Sequence, residues 1–123
     1  MTFGESDLAA IAAAEEIKIE TRAADGSEHR TIIWVVAHDG TVYIRSVNGP
    51  GARWYREATA DGAGDAAIVL DGRRIPVRLT RATDPDSIEA CSDGLRAKYK
   101  RDYSLQSMLL DHTLDTTLRV EPA

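Results

Sequence analysis

Apolar and polar residues alternate with period two through "EIKIETR" (16–22), a pattern that predicts a strand with Ile17 and Ile19 on a core and Lys18 and Glu20 facing water. The segment before it, "SDLAAIAAAEE", carries Leu8, Ile11 and alanines on a narrow stripe, predicting a helix over about 6–15 capped by Ser6 or Asp7. After an Asp-Gly turn at 24–27, "RTIIWVVA" (30–37) is a continuous β-branched run, predicting a strand buried on both faces. Asp39-Gly40 marks a hairpin into "TVYIRSV" (41–47), and Asp71-Gly72 marks another between "DAAIVL" and "RRIPVRLT", where Ile75, Val77 and Leu79 share a face. "NGPG" is a turn, "ARWYREATA" has helical composition, and "DGAG" (61–64) is a glycine-rich link. Asp84-Pro85 opens a further helix with Asp84 as cap. A short helical piece, "SLQSMLLDH", precedes a last strand in "DTTLRVEP".

About six strands joined mainly by tight hairpins, without the βαβ alternation of a doubly wound fold, predict a mainly β, antiparallel sheet. Such a sheet removes its edges by curling closed, so a small barrel with peripheral helices is expected. With 123 residues, the chain is expected to form a single domain over 1–123. No apolar stretch approaches the ~20 residues that span a bilayer, and the start of the chain does not read as a secretory leader, so a cytoplasmic protein without a membrane partner is expected.

Charge changes the picture. The chain carries a formal net charge of -5, which argues against nucleic acid as a partner. Yet 41–56 contains Arg45, Arg53 and Arg56 with no acid, and 72–83 contains Arg73, Arg74, Arg78 and Arg81 with no acid. Those windows hold seven of the 15 cations, and positive charge so localised suits a discrete anionic ligand. At the end of 41–47, Ser46, the amides after Asn48 and Gly49, and a planar guanidinium are groups that bind phosphate. Trp54 and Tyr55 offer flat faces to an aromatic ring. The same residues also read as solvated arginines, an ordinary turn and two aromatics anchoring a helix on the barrel.

"RTIIWVVAHDGTVYIRSVNGPGARWYREA" (30–58) resembles the core of the split-barrel flavin and deazaflavin oxidoreductases, the pyridoxamine-phosphate-oxidase-like superfamily. The resemblance is closest to its deazaflavin-dependent nitroreductase branch, and within that to a small uncharacterised group. It implies that Arg30, Thr31 and Ile32 line the cofactor, that Arg45, Ser46, Asn48 and Gly49 lie near its phosphate, and that Trp54 stands over the helix shaping the pocket. Arg53 or Arg56 would supply the loop cation where Asn48 and Pro50 stand. The implied protein is a homodimer holding FMN or a deazaflavin between its subunits and acting on a small organic molecule. The alternative is a non-catalytic or structural dimer of the same fold.

Catalytic residues are not assignable from spacing, although Tyr43 and Tyr99 are candidate proton donors. His29, His38 and His112 lack metal-ligand spacing, and no metal is expected. Cys91, the single cysteine, reads as a buried, inert thiol in a helix.

Overall fold

Two Asp-Gly pairs set the register of the sheet. Asp39 (φ 51°) and Gly40 (φ 81°), like Asp71 (φ 52°) and Gly72 (φ 76°), occupy the left-handed region that a two-residue hairpin requires. They pair His38 with Thr41 and Leu70 with Arg73 across the turns. The computed structural model describes residues 3–60 and 65–123, so the 61–64 link lies outside the described residues.

The strands are β1 (Ile17–Arg22), β2 (Glu28–Ile33), β3 (Val36–His38), β4 (Thr41–Ile44), β5 (Asp65–Leu70), β6 (Arg73–Arg81) and β7 (Leu118–Pro122). They form one antiparallel sheet in the order β2-β1-β5-β6-β7-β4-β3. Helices α1 (Glu5–Ala13), α2 (Arg53–Thr59), α3 (Pro85–Lys98) and α4 (Asp111–Leu114) lie around it, with 3₁₀ turns at Gly49–Gly51 and Tyr103–Leu109.

Seven strands replace the expected six because the run 30–37 is not one strand. Its first half pairs with β1, Ile33 opposite Ile17, and its second half pairs with β4, Val36 opposite Tyr43. β2 and β3, adjacent in sequence, are therefore the two ends of the sheet, and Trp34-Val35 spans the seam between them. The backbone at the seam finds partners on the end of α3. Val35 N–H donates to the Tyr99 hydroxyl (3.3 Å), and Val35 O accepts from Lys98 Nζ (2.6 Å). Nor is the run buried throughout: Ile32 is 59% exposed.

Two apolar clusters follow from this curvature. Ile17, Ile19, Ile33, Val35, Val42, Ile44, Ile68 and Val77 fill the inside of the curled sheet with Trp54 and Tyr55 of α2. Val36 and Tyr43, on the outer side of β3 and β4, pack with Cys91, Leu95 and Tyr99 of α3 and with Leu105 and Met108. Gly94 permits that close approach, since a Cβ there would stand 3.2 Å from Val36 Cγ2. Asp84 caps α3 as expected, accepting Ser87 N–H at 3.0 Å.

Two expectations need correction. Helix α1 runs from Glu5 to Ala13 rather than about 6–15, and Gly4, not Ser6 or Asp7, is its N-cap. Asp7 instead lies in the first turn and pairs with Arg73. Glu20, expected in water, is 3% exposed. Arg74 donates to its Oε2 (2.8 Å) and Arg30, its cross-strand neighbour, to its Oε1 (3.2 Å). A buried carboxylate is tolerable only with such partners.

Candidate functional site

β4 ends at Ile44, and the chain then passes through Arg45-Ser46 into the turn at Asn48. Gly49 is buried at φ 76°, where a Cβ would stand 2.9 Å from His112 Cδ2, so only glycine fits the turn. Beside it, a cavity of about 340 Å³ opens between the seam and α2. Its walls are Glu16, Thr31, Ile32, Ile33, Trp34, Arg45, Val47, Asn48, Trp54, Ser104 and Met108. The volume falls at the lower end of small-molecule sites, and the lining is mainly apolar with a few polar groups, as such sites are.

Five of the ten expected site residues, Thr31, Ile32, Arg45, Asn48 and Trp54, meet in this cavity. Arg30 pairs with Glu20, and Arg53 Nε lies 3.9 Å from Glu57 Oε2. Tyr55 is buried in the barrel core, its hydroxyl donating to Asp115 O (3.4 Å). Ser46 and Gly49 serve the turn: the Ser46 hydroxyl donates to Gly49 O (2.7 Å), and Ser46 N–H donates to Thr116 Oγ1 (3.0 Å).

Arg45, expected near a phosphate, spends its donors within the protein. It is 1% exposed and donates through Nε to Thr117 Oγ1 (2.8 Å), through NH1 to Met108 O (3.2 Å) and through NH2 to Ile88 O (2.8 Å). All three partners are neutral, and burial pulls the guanidinium below its ordinary pKa. It therefore straps β4 to α3, to the 3₁₀ turn before α4 and to the approach to β7. Four of the seven arginines in the acid-free windows pair with acids outside those windows: Arg73 with Asp7, Arg74 with Glu20, Arg78 with Asp65, and Arg53 with Glu57.

Thr31 stands out in the cavity wall. Among the described residues its Oγ1 is the one buried side-chain oxygen or nitrogen without a hydrogen-bond partner. A buried hydroxyl left unpaired costs about 1–3 kcal/mol, a cost that a partner reaching it would relieve. Thr31 lies on β2, an end strand that pairs only with β1, so the other edge of its backbone has no ladder partner. Of the lining, Ile32 and Val47 are exposed; elsewhere on the surface Tyr103 and Leu110 are exposed as well. These four are the exposed large apolar side chains among the described residues.

Neither tyrosine candidate reaches the cavity. Tyr43 packs in the outer cluster, and the Tyr99 hydroxyl donates to Glu15 O (2.7 Å), with burial pushing its pKa up to about 12. Burial likewise pushes the Cys91 thiol up to about 11, which makes it a poor nucleophile. His29 Nδ1 lies 3.0 Å from Glu57 Oε2, and His112 Nε2 lies 3.1 Å from Val47 O. Among the described residues no group of three His, Cys, Asp or Glu side chains is placed to hold a metal, and no helix is long and apolar enough to cross a membrane.

Trp34, Glu16, Ser104 and Met108 were not among the expected site residues. Trp34 was visible within "TIIWVV", but nothing local signals that it leaves the ladder. Ser104 and Met108 reach the site only through the tertiary fold.

This curled, seven-stranded antiparallel sheet with peripheral helices is a split barrel. The fold is shared with a putative 5-nitroimidazole antibiotic resistance protein from Bacteroides thetaiotaomicron (TM-score 0.70, 11% identity, 97% of this chain and 80% of the other). It is shared also with HutZ, the haem storage protein from Vibrio cholerae (TM-score 0.64, 12% identity, 100% and 92%). An F420 reductase matches too (TM-score 0.58, 16% identity, 100% and 96%). At these identities the likeness is one of fold. No curated protein matches the sequence. Residues 7–120 match the model of the family described as "Uncharacterized protein conserved in bacteria (DUF2255)", and the chain belongs to that family.

Proposed function

We propose that the cavity holds the ring system of a flavin or deazaflavin at the interface of a homodimer, and that the protein is an oxidoreductase acting on a small organic molecule. The observation that carries this reading is a mainly apolar cavity beside the free edge of β2, one of whose lining residues, Thr31, keeps a buried hydroxyl without a partner. A flat heteroaromatic with polar atoms along one edge answers both features. The F420 reductase among the structural neighbours supports the same class of ligand.

The residues present fit the ring better than the phosphate. Ile33, Val47 and Met108 exclude water from the ring's faces, Thr31 meets a heteroatom, and Asn48 offers an amide at the mouth. Arg45 is the one cationic side chain of the lining, and its donors already serve protein oxygens. A phosphate grip therefore falls to groups outside this lining, Arg53 or residues of a second copy. Ile32 and Val47, exposed apolar side chains of the lining, support a second copy seated there, since exposed apolar surface of this kind marks interfaces. When bound, the cofactor supplies the hydride or electrons, while the protein orients its ring and limits solvent access.

The test is a titration of the purified protein with FMN and with the deazaflavin F420, read by ring fluorescence. Saturable binding of either, followed by reduction of an added acceptor, is the expected result. Binding without any turnover would leave a carrier or sensor of the same ligand. Failure to bind either compound would falsify the reading.

A further inference from the structure

We propose that Trp34 is the stacking wall of this cavity, so that the site selects a flat, electron-poor aromatic ring first and reads charge only weakly. The proposal deepens the flavin reading and rests on it. Trp34 sits at the seam, where the backbone leaves the ladder, and its side chain lines the cavity. Tyr99 covers one side of the indole, with ring centroids 3.9 Å apart and planes 6° from parallel. Tyr99 is not part of the cavity lining; it borders a separate cavity of about 420 Å³ together with Lys98. Of this stacked pair it is therefore Trp34, and not Tyr99, that borders the candidate site.

That wall is fixed before any ligand arrives. The Tyr99 hydroxyl accepts Val35 N–H and donates to Glu15 O, which ties the stacking partner to the residue after Trp34 and to the end of α1's exit segment. A wall already held in place costs little ordering on binding. The other candidate aromatic, Trp54, is 5% exposed and meets Tyr55 edge-on, so its faces are taken up by the core. With Arg45 committed and Glu16 at the rim, the lining offers an anion no free cation. What remains is an electron-rich indole and the Thr31 hydroxyl, a pair that suits a planar heteroaromatic such as an oxidised isoalloxazine.

The experiment uses the full chain with riboflavin, which has the ring and no phosphate, and with FMN. Wild type should bind both, with FMN gaining no more than roughly tenfold from contacts outside the lining, and should quench the bound ring's fluorescence, because the indole donates an electron to the excited flavin. Trp34→Leu should weaken riboflavin binding roughly tenfold, the scale expected for one ring stacked on an aromatic side chain. Trp34→Phe should keep most of the affinity while restoring fluorescence, a readout that a merely structural tryptophan would not move. That variant also keeps the test decisive if Trp34→Leu folds poorly. Wild-type affinity and undiminished quenching in both variants overturn the proposal while leaving the flavin reading intact. A wild-type protein that binds no flavin or deazaflavin overturns the two together.

Discussion

Replacing Arg45 with alanine tests whether its guanidinium is a strap or a ligand-binding group. Three charge-assisted bonds, to Thr117 Oγ1, Met108 O and Ile88 O, are lost. At about 1.5–3 kcal/mol each they would sum to roughly 5–9 kcal/mol if independent. Two things reduce that figure. Burying the charge costs several kcal/mol, which the variant recovers. The acceptors also keep other partners: Met108 O still accepts from Thr113 Oγ1 (2.9 Å), and Thr117 Oγ1 still donates to Leu114 O (2.7 Å). About 1–3 kcal/mol of polar loss remains, and deleting a large, fully buried side chain adds about 2 kcal/mol for the void. The expected total is about 3–5 kcal/mol, against about 1–2 kcal/mol for Arg45→Met, which keeps the volume. Urea unfolding followed by circular dichroism measures both, with equal slopes confirming a change in stability alone. An alanine variant that loses under about 1 kcal/mol yet no longer binds flavin would return Arg45 to the phosphate role and refute the strap.

Glu20→Gln should lower stability near pH 7 by about 1–2 kcal/mol, because two arginine bonds to a carboxylate become bonds to an amide. The Arg74 bond, ahead of Arg30, holds the Glu20 carboxyl below its ordinary value of 4.5. Its stabilisation is therefore present above that value and is lost as pH falls through the lower folded value. Unfolding at neutral and acid pH checks this, and an equal acid loss in wild type and variant would sink it. Gly49→Ala should cost about 1–3 kcal/mol from the left-handed backbone and the approach to His112. Adding His112→Ala should recover only the part due to the ring, and complete recovery would show that backbone strain contributes nothing.

What the sequence made legible was what neighbours in the chain decide. The Asp39-Gly40 and Asp71-Gly72 turns, the Asp84 cap and the alternation of Ile75, Val77 and Leu79 each depend on residues within a few positions, and the structure places them as expected. Half of the candidate site was legible for the same reason, since Thr31, Ile32, Arg45, Asn48 and Trp54 lie on the stretch that carried the resemblance. What failed depended on distant partners. Glu20 looked solvent-facing because Arg74 is 54 residues away, and Arg45 looked free because its three partners lie 43 to 72 residues on. Trp34 looked like one more apolar residue because Tyr99, which turns it into a wall, belongs to another helix.

The two end strands are joined by only Trp34 and Val35. From Ile33 to Val36 the chain takes three Cα steps, which reach roughly 10 Å at full extension, so the free edges of β2 and β3 are held together at this one corner and can separate only away from it.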